Sequence, residues 1–273
     1  MFRIPRLIEI VKQLFENEEI IKAKKMFGIT HNPREAGFIL PDGNTLYFFF
    51  TPDVRVPVQQ QVVDGVTGIY MTRKVNGEWQ KPERVYLQRP GKAGLDGCEF
   101  VLDNLMYFCT VREGYTGIHW FKADFREGKW SNWKIADDEL KAEEYNTGEL
   151  HIYGDELYFH SDDKPGGKGG RDIWMSKKVD GIWQVPVNVE AVNTERDDGY
   201  PALSPDGSEL WISRDYGTWR SKRQNGEWSE PELMFSPLAG EPTIDGAGNV
   251  YFTHHFFKND TMIEADIYIA SRK

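Results

Sequence analysis

The stretch Asp155-Glu156-Leu157-Tyr158-Phe159 opens the clearest copy of a unit that this chain of 273 residues repeats five times. A glycine-rich segment follows it, and then Asp172-Ile173-Trp174-Met175-Ser176-Lys177 and Gly181-Ile182-Trp183. A second clear copy runs from Asp206-Gly207 to Gly226-Glu227-Trp228. Short runs of alternating apolar and polar residues between turn residues predict strands rather than helices. A period of about 40 to 50 residues with four strands per copy is typical of a β-propeller.

Three sequence columns set the register of the five copies. An aromatic strand recurs at Leu46-Tyr47-Phe48, Met106-Tyr107-Phe108, Leu157-Tyr158-Phe159, Leu210-Trp211-Ile212 and Val250-Tyr251-Phe252. A strand that opens on Ile or Thr beside an aromatic residue recurs at Ile69-Tyr70, Ile118-His119-Trp120, Ile173-Trp174, Thr218-Trp219 and Ile267-Tyr268. A Gly-x-Trp hairpin recurs at Trp79, Trp130, Trp183 and Trp228 and is missing from the fifth copy. We therefore predict an all-β, five-bladed β-propeller of four-stranded antiparallel blades, with strands A to D counted from the axis outward.

The outer strand that the fifth copy lacks has a candidate near the N-terminus. An unpaired blade edge exposes backbone donors and acceptors, which favours closure of the ring by the opposite end of the chain. Residues 22–27 precede the first copy as strand D precedes the next strand A, and we expect them to pair with residues 266–270. Apolar residues at helical spacing in residues 4–16 predict a short amphipathic helix that packs on the ring or docks a partner. The predicted organisation is a helix and closing strand in residues 1–33 and a single propeller domain in residues 34–273.

The composition excludes two classes of partner. The chain has 43 acidic and 33 basic residues, a formal net charge of −10 and a pI of about 5.2. Nucleic-acid phosphates require a basic face, so nucleic acid is not an expected partner. No apolar run approaches membrane-spanning length, and residues 1–20 lack the apolar core of a signal peptide. We expect a cytoplasmic protein without a membrane partner.

The two cysteines, Cys98 and Cys109, are expected to face each other across a hairpin. A two-residue turn at Asp103-Asn104 would place them directly cross-strand in the second blade. A cross-strand disulfide is strained and a cytosolic chain would keep it reduced. Two buried free thiols are therefore favoured over a disulfide bridge.

The hairpins predict which face of the propeller carries the site. The A–B and C–D turns are short and open on one face, whereas the B–C and D–A connections open on the other. Long B–C segments are expected at residues 51–67, 161–171 and 254–265. Because function concentrates on variable loops held by a rigid scaffold, we expect the site at the B–C/D–A face, around the mouth of the channel.

Carboxylates stand near the start of strand A in every blade. They are Glu35, Asp96, Glu99, Glu149, Asp197, Asp198 and Glu241. The further ligand-binding candidates at the same face are Tyr145, Tyr200, Arg214 and His254. Converging carboxylates can shift one another's pKa values, hold a cation or work as an acid and base pair. The alternative is that acidic loop ends in an acidic protein are simply solvated.

A cation site is one reading of this acidic ring. Glu35, Glu99, Glu149 and Glu241, with or without His254, would suit Ca²⁺ or Mg²⁺, because oxygen-rich clusters prefer these ions. A set built from His160, His254 and a carboxylate is also conceivable, although no spacing in the chain resembles a zinc motif. The chain has no Gly-x-Ser-x-Gly elbow and no Cys-x-x-Cys pair, and its glycine-rich segment 166–170 precedes a strand rather than a helix.

Two of the copies carry a resemblance to a known family. Ser204-Pro205-Asp206-Gly207-Ser208-Glu209-Leu210-Trp211-Ile212 resembles the Pro-Asp, WD-like repeat of TolB-like propellers, and so does the copy from Leu157 to Trp174. Gly-x-Trp-x-x-Pro in the first, third and fourth copies strengthens the likeness, which covers about residues 34–273. These motifs consist of turn and core residues, so the resemblance implies a fold and says little about activity. Such propellers include protein-binding modules and domains of hydrolases.

A weaker resemblance concerns the placement of the carboxylates. Five-bladed glycosidases of the arabinanase and xylosidase type carry three carboxylates at the axial ends of strands in their first three blades. Glu35, Asp96 or Glu99, and Glu149 take comparable positions in this chain, although the local motifs around them differ. The resemblance implies Glu149 as general acid and Glu35 as base, with Asp96 or Glu99 tuning them.

These observations leave two functions open. The first is a binding module whose acidic, tyrosine-rimmed mouth recognises a small molecule, a carbohydrate or a protein partner. The second is a glycosidase-like, carbohydrate-active enzyme that uses Glu35, Glu99 and Glu149 as catalytic residues. No cofactor is implied apart from the possible Ca²⁺ or Mg²⁺ ion.

Overall fold

The computed structural model describes residues 20–25, 34–162 and 164–272, with side chains from residue 36 onward. The strands in chain order are β1 (Ile20–Lys25), β2 (Arg34–Ile39), β3 (Thr45–Thr51), β4 (Gly68–Val75), β5 (Glu78–Trp79), β6 (Glu83–Arg84), β7 (Gly94–Leu102), β8 (Leu105–Arg112), β9 (His119–Arg126), β10 (Lys129–Ile135), β11 (Thr147–Tyr153), β12 (Glu156–Asp162), β13 (Arg171–Val179), β14 (Ile182–Trp183), β15 (Val187–Asn188), β16 (Asp198–Leu203), β17 (Glu209–Arg214), β18 (Gly217–Gln224), β19 (Glu227–Trp228), β20 (Glu232–Phe235), β21 (Ala239–Ile244), β22 (Val250–Lys258) and β23 (Thr261–Arg272). Short helices are α1 (Val58–Gln61), α2 (Asp137–Leu140) and α3 (Ala142–Tyr145). Within the described residues, no helix is long and apolar enough to span a bilayer.

The strands form five antiparallel blades, which confirms the predicted five-bladed β-propeller. Blade two is β7-β8-β9-β10, and in blades one, three and four the outer strand is divided into two short pieces after the Gly-x-Trp turn. The inner strands contact one another in the cyclic order β2, β7, β11, β16, β21 and back to β2, which closes the ring around the axis. The segment 254–265 is not the long loop expected from the sequence, because β22 and β23 continue to pair as far as Lys258 and Thr261.

The two ends of the chain meet in blade five. Strand β1 pairs antiparallel with β23, with Ala23 opposite Ala270 and Lys25 opposite Tyr268, and supplies the outer strand that the fifth repeat lacks. One parallel bridge between Arg34 and Ala265 also joins blade five to blade one. Residues 26 and 27 of the expected closing segment and the helix expected at residues 4–16 lie outside the described residues. The division of the chain at residue 33 stays a prediction.

The tryptophans of the Gly-x-Trp turns pack each blade that has one against the blade before it. Their indole rings meet the central tyrosine of the preceding blade's aromatic strand nearly edge to face, with centroid separations of 6.5 Å for Trp79 and Tyr251, 6.0 Å for Trp130 and Tyr47, and 6.2 Å for Trp228 and Tyr158. Trp183 of blade three belongs to one core cluster with Tyr107 of blade two. Edge-to-face pairs are each worth about 0.5–1.5 kcal/mol beyond the burial of their area. The repeat thus carries its own contacts between blades.

Candidate functional site

A deep pocket of about 790 Å³ lies on the axis, at the face where the B–C loops open. Every blade contributes to its wall through the start of the inner strand, with Ala36, Glu99, Glu149, Tyr200 and Glu241 among the lining residues. The B–C loop of blade one, Ile118 of blade two and Met262 of blade five form its mouth. A cavity of this size suits a small-molecule ligand.

Bulges in four inner strands aim side chains into this pocket. The register skips one residue between Gly97 and Phe100, between Thr147 and Leu150, between Gly199 and Ala202, and between Gly240 and Thr243. Two residues of the inner strand therefore oppose one residue of the next strand. The extra residue interrupts the regular alternation of side chains between the two faces of the strand and redirects one of them. The bulged pairs are Cys98-Glu99, Gly148-Glu149, Tyr200-Pro201 and Glu241-Pro242. β2 of blade one pairs without such a skip.

Three of the bulged residues have strained backbones. Cys98, Tyr200 and Glu241 have φ angles of +54°, +56° and +52°, in the left-handed region that non-glycine residues seldom occupy. The backbone N–H of Glu241 donates to Ser213 Oγ (2.7 Å) and that of Tyr200 donates to His160 Nδ1 (3.2 Å). Such strain persists only where the surroundings hold it, and it is concentrated at ligand and active sites.

The carboxyls of the pocket influence one another. Burial raises the pKa of Glu99 well above its usual value of 4.5, and the charges of Glu149 and Glu241 act in the same direction, against the backbone N–H groups of Glu99 and Phe49. Glu241 also lies 3.9 Å from His255 Nε2. Burial and these neighbouring charges therefore favour the protonated form of Glu99.

The two cysteines lie beside these carboxyls, and their pairing differs from the directly cross-strand arrangement expected from the sequence. Cys109 pairs with Gly97 rather than with Cys98, because the bulge between Gly97 and Phe100 shifts the register of β7 by one residue. Both are free thiols and both line the pocket. A hydrogen bond with Cys109 is the main cause that raises the pKa of Cys98, followed by burial and then by the charges of Cys109 and Glu149. The Cys98 thiol therefore stays protonated next to the acidic groups.

Two histidines support the wall in their neutral form. Burial lowers the pKa of His151 and of His160 to about 3. His151 lines the pocket with its ring centroid 4.9 Å from that of Phe100. His160 packs between two bulges, since a Cβ on Gly148 would lie 2.2 Å from its Nε2 and its Nδ1 accepts the N–H of Tyr200. Neutral imidazole is consistent with an Nδ1 that accepts.

The mouth is held in place by hydrogen bonds of the blade-one loop. Gln61 Nε2 donates to the carbonyl of Val56 (2.7 Å), and the Thr67 hydroxyl bonds to Thr51 Oγ1 (3.2 Å) at the base of the loop. Arg55 is the single basic side chain among the described lining residues, and it donates twice to Asp53, at 2.8 and 2.6 Å. This pairing lowers the pKa of Asp53 to about 2.

Several predicted ligand-binding residues lie behind the pocket wall. Asp96 and Asp198 are buried and form ion pairs with Arg112 and Arg214, respectively. In both cases the guanidinium also bonds a backbone carbonyl and stacks on an aromatic ring of strand C, so these groups brace the blades. They do not line the pocket. Their predicted role in ligand binding is not tested and stays a prediction.

Tyr145 and His254 are likewise surrounded by protein. Tyr145 is buried in the core cluster of blades two and three, with Lys164 Nζ 4.4 Å from its ring centroid. His254 packs against Phe256 at 4.5 Å, and burial lowers its pKa to about 4. Among the predicted site residues, Glu99, Glu149, Tyr200 and Glu241 are thus brought together in the pocket. Glu35 lies on β2, and its side chain is outside the described part of the chain.

The predicted cation site has no support from the described residues. They contain no group of three or more histidine, cysteine, aspartate or glutamate side chains arranged to hold a metal ion. Because the Glu35 side chain is not among them, the four-carboxylate set of the prediction is not tested. The Ca²⁺ or Mg²⁺ site stays a prediction.

Solved structures that resemble the protein share its fold. A thermostable family-43 glycoside hydrolase superposes with a TM-score of 0.56 over 91% of this chain and 92% of its own, at 12% identity. A candidate exo-β-1,3-galactanase from Bifidobacterium bifidum s17 gives 0.50 over 88% and 96%, at 14% identity. A candidate TolB from Agrobacterium tumefaciens gives 0.48 over 89% and 79%, at 14% identity. At these identities the likeness is one of fold alone.

Comparison by sequence adds no relative. No protein-family profile matches the chain and no curated protein sequence matches it.

Sequence reasoning missed the bulges and the pocket-lining thiols and imidazole. A signal for the bulges was present, because a glycine stands in or directly before each bulged pair, and an isolated glycine in a strand often marks one. The role of His160 had no local signal, since its contacts come from two neighbouring inner strands.

Proposed function

We propose that the axial pocket binds a glycoside and hydrolyses its glycosidic bond. The observation that supports this most is the convergence of Glu99, Glu149 and Glu241 on one pocket of small-molecule size. Hydrolysis of a glycoside needs two carboxyls, one to protonate the leaving oxygen and one to attack or to activate water. The family-43 glycoside hydrolase of similar fold agrees with this choice of chemistry.

In this proposal Glu149 is the general acid, Glu35 is the base and Glu99 is a neutral neighbour. The raised pKa of Glu99 favours its protonated form, so it adds no negative charge to the cluster. The bulges hold Glu99 and Glu149 on adjacent inner strands, β7 and β11, which are in contact. Tyr200 and His151 line the remainder of the wall, where a sugar ring would lie.

Leaving-group dependence tests the proposal. Glu149→Gln should lower kcat by about 10²- to 10⁴-fold on alkyl glycosides, whose leaving groups need protonation, and much less on nitrophenyl glycosides. Glu35→Gln should lower both rates. Glu230→Gln replaces an exposed glutamate outside the pocket and serves as the matched control. If the wild-type protein hydrolyses no member of a broad glycoside panel, the proposal is wrong.

The acidity of the same pocket favours a second candidate, a binding module for a small cationic ligand. Glu149 and Glu241 line the pocket, and the one basic side chain among the described lining residues, Arg55, is paired with Asp53. Alkylamines should then bind more tightly than the alcohols of the same chain length, and Glu241→Gln should reduce this preference. Equal binding of amines and alcohols in titration calorimetry would exclude this candidate.

A further inference from the structure

Apolar side chains from three blades surround the mouth of the pocket. Val54, Val56 and Val58 come from the B–C loop of blade one, Ile118 directly precedes β9, and Met262 lies near the start of β23. Ile118 is 71% exposed and Val58 is 54% exposed. Loop ends of this kind usually carry polar residues, and apolar side chains gathered at the edge of a cavity mark a surface that a ligand covers.

The mouth is preformed rather than collapsed. The buried Gln61 side chain of α1 fixes the carbonyl of Val56, and Thr67 bonds to Thr51 where the loop leaves β3. The backbone N–H groups of Val66 and Thr67 donate to Asp64 at 2.6 and 2.7 Å and stabilise the other end of the loop. These bonds keep Val54, Val56 and Val58 at the entrance, where their burial by a ligand would cost little ordering entropy.

The carboxyls of the pocket and the apolar side chains of its entrance belong to different elements. Glu99, Glu149 and Glu241 stand on the inner strands beside further apolar residues, whereas the valines, Ile118 and Met262 belong to the B–C loops and the start of β23. A free sugar at the inner strands would leave Ile118 and Val58 in water. We infer that the ligand is a glycoside with an alkyl or aryl aglycone, which lies between Ile118 and the valines of the blade-one loop. This inference rests on the proposed function.

Matched glycosides test the inference by binding rather than by turnover. Methyl and octyl glycosides of xylose, arabinose, galactose and glucose, each below its micelle concentration, are titrated by calorimetry into Glu149→Gln. The octyl member of the pair that binds should do so at least about tenfold more tightly, because several methylene groups leave water. Ile118→Ser should reduce this ratio several-fold. Val185→Ser is the matched control, since Val185 is 73% exposed and lies outside the pocket.

Each result separates the inference from the proposed function. An octyl preference that Ile118→Ser reduces and Val185→Ser does not supports the inference, and it does so even if wild type hydrolyses nothing and the proposed hydrolysis falls. Equal binding of the methyl and octyl glycosides, together with hydrolysis of both by wild type, supports the proposed function and overturns the inference. A preference that both serine variants keep overturns it as well. Self-association that Ile118→Ser abolishes, without an octyl preference, would show that a second copy covers the mouth and would also overturn it. If no glycoside binds, both fall.

Discussion

At the scale of single residues, the site depends on side chains that the fold keeps uncharged. Glu99, Cys98, His151 and His160 all have pKa values shifted toward the neutral form, with burial as the largest cause for all except Cys98, where the hydrogen bond with Cys109 comes first. A wall of neutral groups beside Glu149 and Glu241 limits the negative charge that the pocket must hold. The fold thus controls protonation through desolvation.

Glu99→Gln should change how stability depends on pH. The folded pKa of Glu99 is raised, so its favourable contribution is fully present below 4.5 and is lost as the pH rises through the folded pKa. Glutamine cannot ionise, and the variant should therefore lose less stability than wild type between about pH 5 and 8. Urea unfolding at several pH values measures this difference. Glu230→Gln is the exposed control, and parallel curves for wild type and Glu99→Gln would contradict the prediction.

Gly148→Ala should damage the site through His160. The added Cβ would lie 2.2 Å from His160 Nε2, so the ring must move and the N–H of Tyr200 loses its acceptor. We expect a loss of about 1–3 kcal/mol in the free energy of unfolding, together with weaker ligand binding. In the Gly97→Ala control the Cβ would lie 3.3 Å from the Phe49 ring, which predicts a smaller loss. Equal losses in chemical unfolding would refute the role given to His160.

At the scale of elements, the tryptophan contacts between blades predict a measurable coupling. Trp228 packs on Tyr158 at 6.2 Å and its Nε1–H donates to the tyrosine oxygen at 3.2 Å. A double-mutant cycle of Trp228→Ala and Tyr158→Phe or Ala should give a coupling energy of about 0.5–1.5 kcal/mol. The losses of unfolding free energy caused by Trp228→Ala and by the same substitution at Tyr107 of blade two should be additive. A coupling energy near zero for Trp228 and Tyr158 would mean that their contact does not stabilise the protein.

The elements that the sequence predicted well are those that depend on local signals. Hairpin turns such as Asp206-Gly207 and the aromatic strand around Tyr158 are decided by a few adjacent residues, so the blades and their order could be read directly. The acidic ring was predicted as a set, but not which members face the pocket. Asp96 and Glu99 belong to one strand, and the intervening bulge gives Glu99 to the pocket while Asp96 pairs with Arg112. Which of the two carboxylates faces the pocket thus depends on Arg112 of β8, a residue of a different strand.

At the scale of the whole molecule, closure of the ring joins the fold to the site. Glu241 stands on β21 of blade five, and β1 completes the same blade at its outer edge. Blade five also contacts blade one through β2, the strand that carries Glu35. A loss of closure would therefore loosen the two blades that flank one side of the pocket, which makes stability and ligand binding depend on the N-terminal strand.

Deletion of residues 1–28 tests this dependence, because it removes β1 and exposes the edge of β23. The free energy of unfolding should fall by several kcal/mol, since a whole strand ladder is lost, and the freed edge should promote oligomers. Deletion of residues 1–19 keeps β1 and is the matched control. A peptide of residues 20–28 added to the longer deletion should restore part of the melting temperature, as measured by scanning calorimetry with light scattering. If both deletions melt alike and stay monodisperse, β1 does not stabilise the ring, and the coupling between closure and the pocket is wrong.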